Sequence, residues 1–357
     1  MFKSHSDYRK AWDDAYLTDP PIPLNVDLEL SSVCNSRCPF CLFGNPEWVK
    51  SLNGKMMPMD MAMSIIHECM DLGVPALKFQ YRGESTLHPD FSDILYYARS
   101  LKVGRLEKEL QIEFKKIEQD RIGGQVIKNI TPSKELEEAY KSFKPAFHDI
   151  LINTNANCPD KSIDGLMACT KVMVSLDSLD PKIYPKIRVG LSLDRAKEVI
   201  TELIRRKHPN LWVRRVKCKE NEGEDFIEKC QELWGDKARY SEHYAFERNK
   251  YSSQSLHGEN PAEWERKYCS YPSQRVVITA SGDYLPCCLS WSSELIMGNY
   301  KNMSIKQYWD SGPRKRLVGE LKNNIFKNKL CQNCTSFVSY KRPESRFVQD
   351  IEGVAKI

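Results

Sequence analysis

Cys34, Cys38 and Cys41 place three thiols within eight residues, in the run Cys34-Asn35-Ser36-Arg37-Cys38-Pro39-Phe40-Cys41. Clustered cysteines in a reducing compartment hold metal or do chemistry more often than they form disulfides. A structural zinc site is normally closed by a fourth protein ligand, and here that ligand has to come from far along the chain. Three thiolates on a cubane cluster instead leave one iron without a protein ligand, which suits a cluster that binds a small molecule directly. A second set follows late in the sequence: Cys269, Cys287 after the turn at Gly282, and the pair Cys331-Gln332-Asn333-Cys334. The two-residue spacing of Cys331 and Cys334 is a metal-ligand signal, and both a zinc ribbon and an iron–sulfur cluster fit four such thiolates. Cys288 is an alternative to Cys287. Cys69, Cys158, Cys169, Cys218 and Cys230 fall within or beside predicted helices and strands and are expected to be small buried hydrophobes.

These ligands need elements to hold them in place. Strand-like and helix-like runs alternate through the first two-thirds of the chain, the pattern of a parallel sheet or barrel built from βα units. Strands are expected at 24–30, 76–81, 150–153, 172–176 and 211–216, with a sixth near 238–244. Helices are expected at 60–72, 90–101, 193–207 and 224–234. Between Val103 and Asp149 the rhythm breaks at a charged insertion, where Leu106, Leu110, Phe114 and Ile117 share one helical face. Gly123 and Gly124 end that helix, and Thr131 and Pro132 start another running towards Phe143. Residues 275–279 read as one strand of a hairpin whose return brings Cys287 near Cys269.

At 357 residues, with 41% hydrophobic and 28% charged, the chain has room for a large domain and a smaller one and shows no disordered composition. A net charge of +5 spread along interleaved acidic and basic residues marks no nucleic-acid partner. No apolar stretch is long enough to span a bilayer, and the first residues are polar where a signal peptide is hydrophobic, so a cytoplasmic protein is expected. Arg214, Arg215 and Lys217 suit an acidic or phosphorylated substrate, and equally suit alternating exposed positions of an edge strand.

The first cysteine triplet, with Phe40 just before its last member, resembles the signature of the radical S-adenosylmethionine (SAM) superfamily. Further runs resemble that family in order. They are Gly83-Glu84 followed by Leu87-His88-Pro89, then Thr154-Asn155-Ala156, and then Ser175-Leu176-Asp177 with Arg188 downstream. By this resemblance Cys34, Cys38 and Cys41 hold a [4Fe–4S] cluster that cleaves SAM, and Phe40, Gly83, Glu84, Asn155, Ser175 and Arg188 contact SAM. Glu84 would take its ammonium, and Ser175 and Arg188 its carboxylate or ribose. The Gly282-to-Cys287 element, Gly298-Asn299 and Trp309 are similar to the SPASM/twitch extension of the same family. That likeness makes Cys269, Cys287, Cys331 and Cys334 the ligands of one auxiliary [4Fe–4S] cluster. The cysteine spacing is especially similar to that of 2-deoxy-scyllo-inosamine dehydrogenases.

The resemblance implies an α/β fold: a partial (β/α)6 TIM-like barrel with a small C-terminal iron–sulfur domain. The chain then divides into an N-terminal arm at 1–23, a core at 24–245 with its insertion at about 103–149, and a linker with the auxiliary-cluster domain at 246–357. The implied reaction is SAM cleavage to a 5′-deoxyadenosyl radical and hydrogen abstraction from a small, carbohydrate-like molecule. Net oxidation through the auxiliary cluster and an electron donor such as flavodoxin or ferredoxin complete the expectation. The short segment before the first strand favours a small molecule over a peptide. The alternatives are a radical-SAM enzyme that modifies a peptide and a non-catalytic metal-binding protein.

Overall fold

The computed structural model describes residues 2–52, 54–103, 133–141, 143–244, 266–291, 295–332 and 334, with short strands at 121–122, 125–126, 338–339 and 347–348. Six strands lie side by side in chain order: β1 (Asn25–Leu28), β2 (Ala76–Lys78), β3 (Asp149–Thr154), β4 (Lys171–Ser175), β5 (Leu211–Lys217) and β6 (Arg239–Tyr244). Every neighbouring pair among them is parallel. Parallel neighbours need long crossovers, and helices provide them. These are α2 (Met59–Leu72), α3 (Phe91–Ser100), α4 (Lys161–Ala168), α5 (Leu193–Arg205) and α6 (Phe226–Trp234). All six expected strands and the four expected helices are present, with no end shifted by more than three residues.

The sequence dictates the packing. In β1, Val26 and Leu28 join the main core while Asn25 and Asp27 take the opposite face, as the period-two side-chain alternation of a strand requires. Helix α5 buries Ala196, Val199, Ile200 and Leu203, a stripe of three- and four-residue spacings on its inner face. Ser192 Oγ caps it by accepting the Arg195 N–H at 3.1 Å. Helix α2 ends at Gly73, whose φ of 75° closes the helix in the left-handed conformation. The five cysteines expected to be buried hydrophobes are all buried.

Three features differ from the expectation. Strand β7 (Arg275–Ile278) forms its hairpin with β8 (Tyr284–Leu285), but it also pairs in parallel with β1 along Asn25↔Arg275 to Leu28↔Ile278. The late cysteine-rich region therefore contributes a strand to the main sheet. Strand β5 is interior, flanked by β4 and β6, so Arg214, Arg215 and Lys217 are not edge positions. The N-terminal arm contains α1 (His5–Thr18), capped by Ser4, whose Tyr8 donates to Asp149 at 2.9 Å. The arm's end is held by the C-terminal helices α7 (Ile305–Trp309) and α8 (Gly312–Lys322). Trp309 Nε1 donates to the Pro20 carbonyl at 2.7 Å, and Arg314 pairs with Asp19 at 2.6 Å. In the insertion, a helix at Lys134–Lys141 matches the second one expected. The helix through Leu106, Leu110, Phe114 and Ile117 and the glycines at 123 and 124 lie outside the described residues.

Candidate active site

The cysteine triplet sits on the loop that leaves β1, and neighbouring strand ends hold that loop. Ser31 Oγ accepts the Val33 N–H at 3.0 Å, turning the chain towards Cys34. Gly83, past β2, packs directly beneath: a Cβ there would meet Ser31 O at 2.3 Å and Val33 O at 2.6 Å, and its φ is +63°. What comes close to the Gly83 backbone is therefore the cysteine loop itself. The next residue fixes the contact, as the Glu84 N–H donates to Val33 O at 2.8 Å. From the other side, Asn35 Nδ2 donates to Asn157 O at 2.8 Å and the Arg37 N–H to Val189 O at 2.9 Å. The loop is thus fastened to segments beyond β2, β3 and β4.

Two ionisable residues meet this loop. Glu84 is 4% exposed. Its Oε1 accepts from Thr86 Oγ1 at 2.7 Å and Thr154 Oγ1 at 2.8 Å, and its Oε2 accepts the Asn155 N–H at 2.8 Å. Burial raises the Glu84 pKa, and these donors work against the rise. Asn155 also reaches Asn35 Oδ1 through Nδ2 at 2.8 Å, and Ala156 takes the left-handed φ of 58° in the turn. Arg188 is likewise buried. Its Nη2 pairs with Asp177 Oδ2 at 2.5 Å, its Nη1 reaches Cys38 Sγ at 3.5 Å, and its guanidinium lies 5.6 Å from the centre of the Phe40 ring. Burial opposes the Arg188 charge, and Asp177 and Cys38 more than offset it. Asp177 Oδ1 accepts the Val216 N–H at 2.7 Å, which anchors the pair to β5.

Eight of the nine expected residues therefore form one connected site: Cys34, Cys38, Cys41, Phe40, Gly83, Glu84, Asn155 and Arg188. Ser175 ends β4 opposite Arg214 and enters none of these hydrogen bonds. Sequence reasoning did not assign Asp177, although it lies in the Ser-Leu-Asp run, nor Thr86 and Thr154, which hold the Glu84 carboxylate. It did not single out Arg82 either. In the structure Arg82 grips Glu29 with two bonds of 2.7 and 2.9 Å and donates to Trp291 O at 3.2 Å. One buried ion pair thereby ties β1, the loop after β2 and the segment following Cys288.

Burial first, then Glu84, Cys41 and Cys38 push the Cys34 thiol up to about 12. Cys34 so placed stays protonated on its own, and binding to a positively charged iron centre would displace its proton and offset the same unfavourable surroundings. The donor set fits an iron–sulfur cluster. Cys269, Cys287, Cys331 and Cys334 all line one pocket, together with apolar side chains such as Leu317, Leu321 and Phe326. These four residues also fit such a group. Cys288 does not line that cavity; its Sγ lies 4.0 Å from Arg275 Nη1. The hydrogen bond from Cys287, followed by Arg275, lowers the Cys288 thiol to about 6 against the effect of burial. Among the described residues no three His, Cys, Asp or Glu side chains form a ready site for a single metal ion. A small apolar cluster of Leu42, Tyr81, Val277, Leu285 and Trp291 has Cys41 of the first loop and Cys288 packed against it.

The sequence matches the radical SAM superfamily over residues 28–230 and SPASM, an iron–sulfur cluster-binding domain, over residues 269–335. A search of curated proteins returned no match. Among solved structures, Streptococcus suis SuiB bound to S-adenosylmethionine superimposes with a TM-score of 0.59 at 17% identity, covering 93% of this chain and 77% of SuiB. The structure of anSMEcpe with bound AdoMet and Cp18Cys peptide gives 0.51 at 14%, covering 87% and 86%. BtrN in complex with AdoMet and 2-DOIA gives 0.49 at 14%, covering 88% and 93%. At these identities the likeness to SuiB and anSMEcpe establishes the fold. The superfamily match spans more than half of the chain, and the chain belongs to the radical SAM superfamily, with a SPASM iron–sulfur domain, S-adenosylmethionine and [4Fe–4S] clusters as its cofactors.

Proposed function

We propose that the protein abstracts hydrogen from a small polar molecule and oxidises it, with Cys34, Cys38 and Cys41 as ligands of the SAM-cleaving cluster and Cys269, Cys287, Cys331 and Cys334 as ligands of one auxiliary cluster. Bound there, the two groups supply reductive SAM cleavage to a 5′-deoxyadenosyl radical and a nearby one-electron acceptor. The observation that carries this reading is the convergence of Glu84, Asn155 and Arg188 on the cysteine loop from the segments that follow three successive strands. That is the face on which barrel folds assemble their sites.

The chain's own contributions follow from the geometry. Oε2 of Glu84 retains acceptor capacity beyond its bond to Asn155 and is assigned to the SAM ammonium. Arg188 is held at Cys38 by Asp177 rather than extended into solvent, so we assign it to electrostatic support of the cluster thiolates and Phe40 to the wall beside it. Ser175, at the end of β4, is assigned to the SAM side of the barrel. Gly83 sets the depth of the loop. We take residues 24–245 as the core and 246–357 as the auxiliary region, with β7 as their seam. No described helix is long and apolar enough to cross a membrane, and we place the protein in the cytoplasm with a flavodoxin or ferredoxin as electron donor.

SuiB is also known bound to its precursor peptide SuiA, and anSMEcpe with a peptide. For this chain a small substrate is supported by the half-buried positions of Asn153 and Arg214 inside the strands and of Gln80 just past β2. Anaerobic reconstitution with iron counting and an assay for 5′-deoxyadenosine tests the reading, comparing wild type with Cys34, Cys38 and Cys41 all changed to Ala. About eight irons and triplet-dependent 5′-deoxyadenosine are expected. Tightly bound zinc without SAM cleavage would overturn it.

A further inference from the structure

The outer side of the first cysteine loop carries features that neither SAM nor a substrate inside the barrel requires. Cys34 and Cys41 are half-buried, so the loop brings thiols near the surface. Eight large hydrophobic side chains are exposed among the described residues, and three of them, Val33, Met56 and Val189, border this loop. Hydrogen bonds fix that neighbourhood. Ser31 pairs with Met56 in an antiparallel bridge, the Ser32 N–H donates to Lys55 O at 2.8 Å, and the Lys55 N–H donates back to Ser32 Oγ at 2.7 Å. On the other side the Arg37 N–H donates to Val189 O at 2.9 Å, and a Cβ on Gly190 would stand 3.1 Å from Asn35 O. Residues 54–56 and 186–190 therefore flank the loop as parts of one surface. Exposed apolar side chains gathered on one surface mark a contact site, whereas scattered ones mark nothing.

The same surface is positive. Residues 32–56 and 180–190 expose Arg37, Lys50, Lys55, Lys182 and Lys186, against two carboxylates, Glu47 and Asp180. Asp180 is occupied in a turn, where Oδ1 accepts the Lys182 and Ile183 N–H groups at 2.7 and 3.2 Å. None of the four lysines forms an ion pair with a described residue. Arg37 donates Nη1 to two carbonyls of its own loop, Cys34 O and Ser36 O, each at 2.9 Å. The basic helix ahead of Cys331 differs in this respect. Lys315 pairs there with Asp310 at 3.3 Å, and Lys327 with Glu320 at 2.7 Å. Cations already matched by their own chain attract a partner weakly, and those around the cysteine loop keep their field for one.

We infer that this surface is the docking site of the electron donor, an acidic flavodoxin whose carboxylates face Lys55, Lys182 and Lys186 while the apolar edge of its flavin lies over Val33, Met56 and Val189. This deepens the proposed function and rests on its assignment of Cys34, Cys38 and Cys41 to the SAM-cleaving cluster. The electron balance is simple. The anionic flavin hydroquinone loses one electron and becomes the neutral semiquinone, the oxidised cluster gains that electron, and no proton crosses the interface. An iron–sulfur donor has no apolar ring edge to match the three hydrophobic side chains, which favours the flavin. Electron-transfer encounters use small interfaces and long-range attraction, because the partner has to leave after each delivery. A few apolar side chains within a ring of unmatched lysines suit that need.

The test uses the full chain reconstituted with iron and sulfide, with an acidic flavodoxin as the probe. Oxidised flavodoxin is titrated by calorimetry at about 10 mM and about 200 mM salt. Binding is expected at low salt and should weaken steeply at the higher concentration. Lys55→Glu combined with Lys186→Glu should weaken low-salt binding at least about tenfold, equivalent to about 1.4 kcal/mol, and the corresponding pair of Gln substitutions should weaken it less. Lys10→Glu combined with Lys237→Glu makes the same change in net charge at the opposite ends of the strands, on α1 and just before β6, and should bind like wild type. 5′-Deoxyadenosine formation is the second readout. Driven by flavodoxin hydroquinone it should fall in the Lys55/Lys186 Glu variant in step with binding, and driven by dithionite it should match wild type. The inference is overturned if that variant binds like wild type, if the Lys10/Lys237 variant loses as much, or if salt has no effect. It is equally overturned if wild type does not bind flavodoxin, or if dithionite-driven formation falls as far as the flavodoxin-driven rate. Absence of dithionite-driven 5′-deoxyadenosine in wild type defeats the radical reading instead, and flavodoxin binding is measured independently of it.

Discussion

Replacing Gly83 with alanine tests whether the loop of cysteines is positioned from below by bare backbone. At φ +63° an alanine is in the left-handed region, which costs about 1–2 kcal/mol. Its Cβ would stand 2.3 Å from Ser31 O and 2.6 Å from Val33 O. Both obstacles are main chain, so no side chain can rotate away. Overpacking of this kind costs about 1–3 kcal/mol more, giving a total of about 2–5 kcal/mol. Relief requires the loop to retreat, and the retreat breaks the 2.8 Å bond from the Glu84 N–H to Val33 O. Stability and cofactor capture are therefore expected to fall together. The assays are the first transition in urea unfolding and the iron bound per chain after anaerobic reconstitution. Ala156→Gly supplies the opposite sign: with φ +58° it releases left-handed strain and should gain up to about 1 kcal/mol. If Gly83→Ala unfolds within about 0.5 kcal/mol of wild type and takes up iron equally, the packing argument is wrong.

Arg188→Met leaves the Asp177 carboxylate buried without its partner, and a loss of about 3–5 kcal/mol is expected in urea unfolding. Adding Asp177→Asn should recover part of that loss; strictly additive costs in the double mutant would refute the pairing. Cys331→Ala should lower the iron content by about four per chain, whereas Cys288→Ala should not, which iron analysis of the two variants decides. His208 is buried, with Nε2 at 3.1 Å from Cys169 O, and burial lowers its pKa. The unfolded chain then binds the extra proton below about pH 6.5, so this residue's contribution to stability declines as pH falls from there towards the lower folded pKa. Unfolding measured between pH 7 and 5 should show a shallower acid loss in His208→Gln than in wild type, and parallel curves would contradict it.

Much of this was legible in the sequence because strand alternation and helical stripes are local signals. The βα order and the cysteine loop after β1 follow from such local patterns, whereas Glu84 and Arg188 were singled out by the resemblance of their runs to the family's. The residues that escaped notice act across long separations. Arg82 finds Glu29 fifty-three positions away and Asp177 meets Arg188 across a turn, and neither pairing leaves a periodic trace. Helix α1 was missed because its apolar content is low: among its residues only Tyr8 and Ala15 are buried. Arg214, Arg215 and Lys217 look alike in sequence, and only the sheet separates the lumen residue from the two that pair with Glu242. Strand β7 reads correctly as a hairpin arm, but a hairpin pattern says nothing about the strand on its other edge.

That other edge affects how the molecule is made. Asn25 and Arg275 are register partners 250 residues apart, so β1 leaves the ribosome long before β7 exists. Until synthesis passes residue 278, one side of β1 has open amides and carbonyls, and the loop carrying the first cysteines hangs from an incomplete sheet. Pairings of such long sequence separation close late. The ligands of the first cluster are translated early but stand on a finished foundation only once the second set's segment has begun to be made, Cys269 being its one ligand already present. A nascent chain arrested before residue 275 would be a barrel open along the seam next to its iron site, a candidate for chaperone retention.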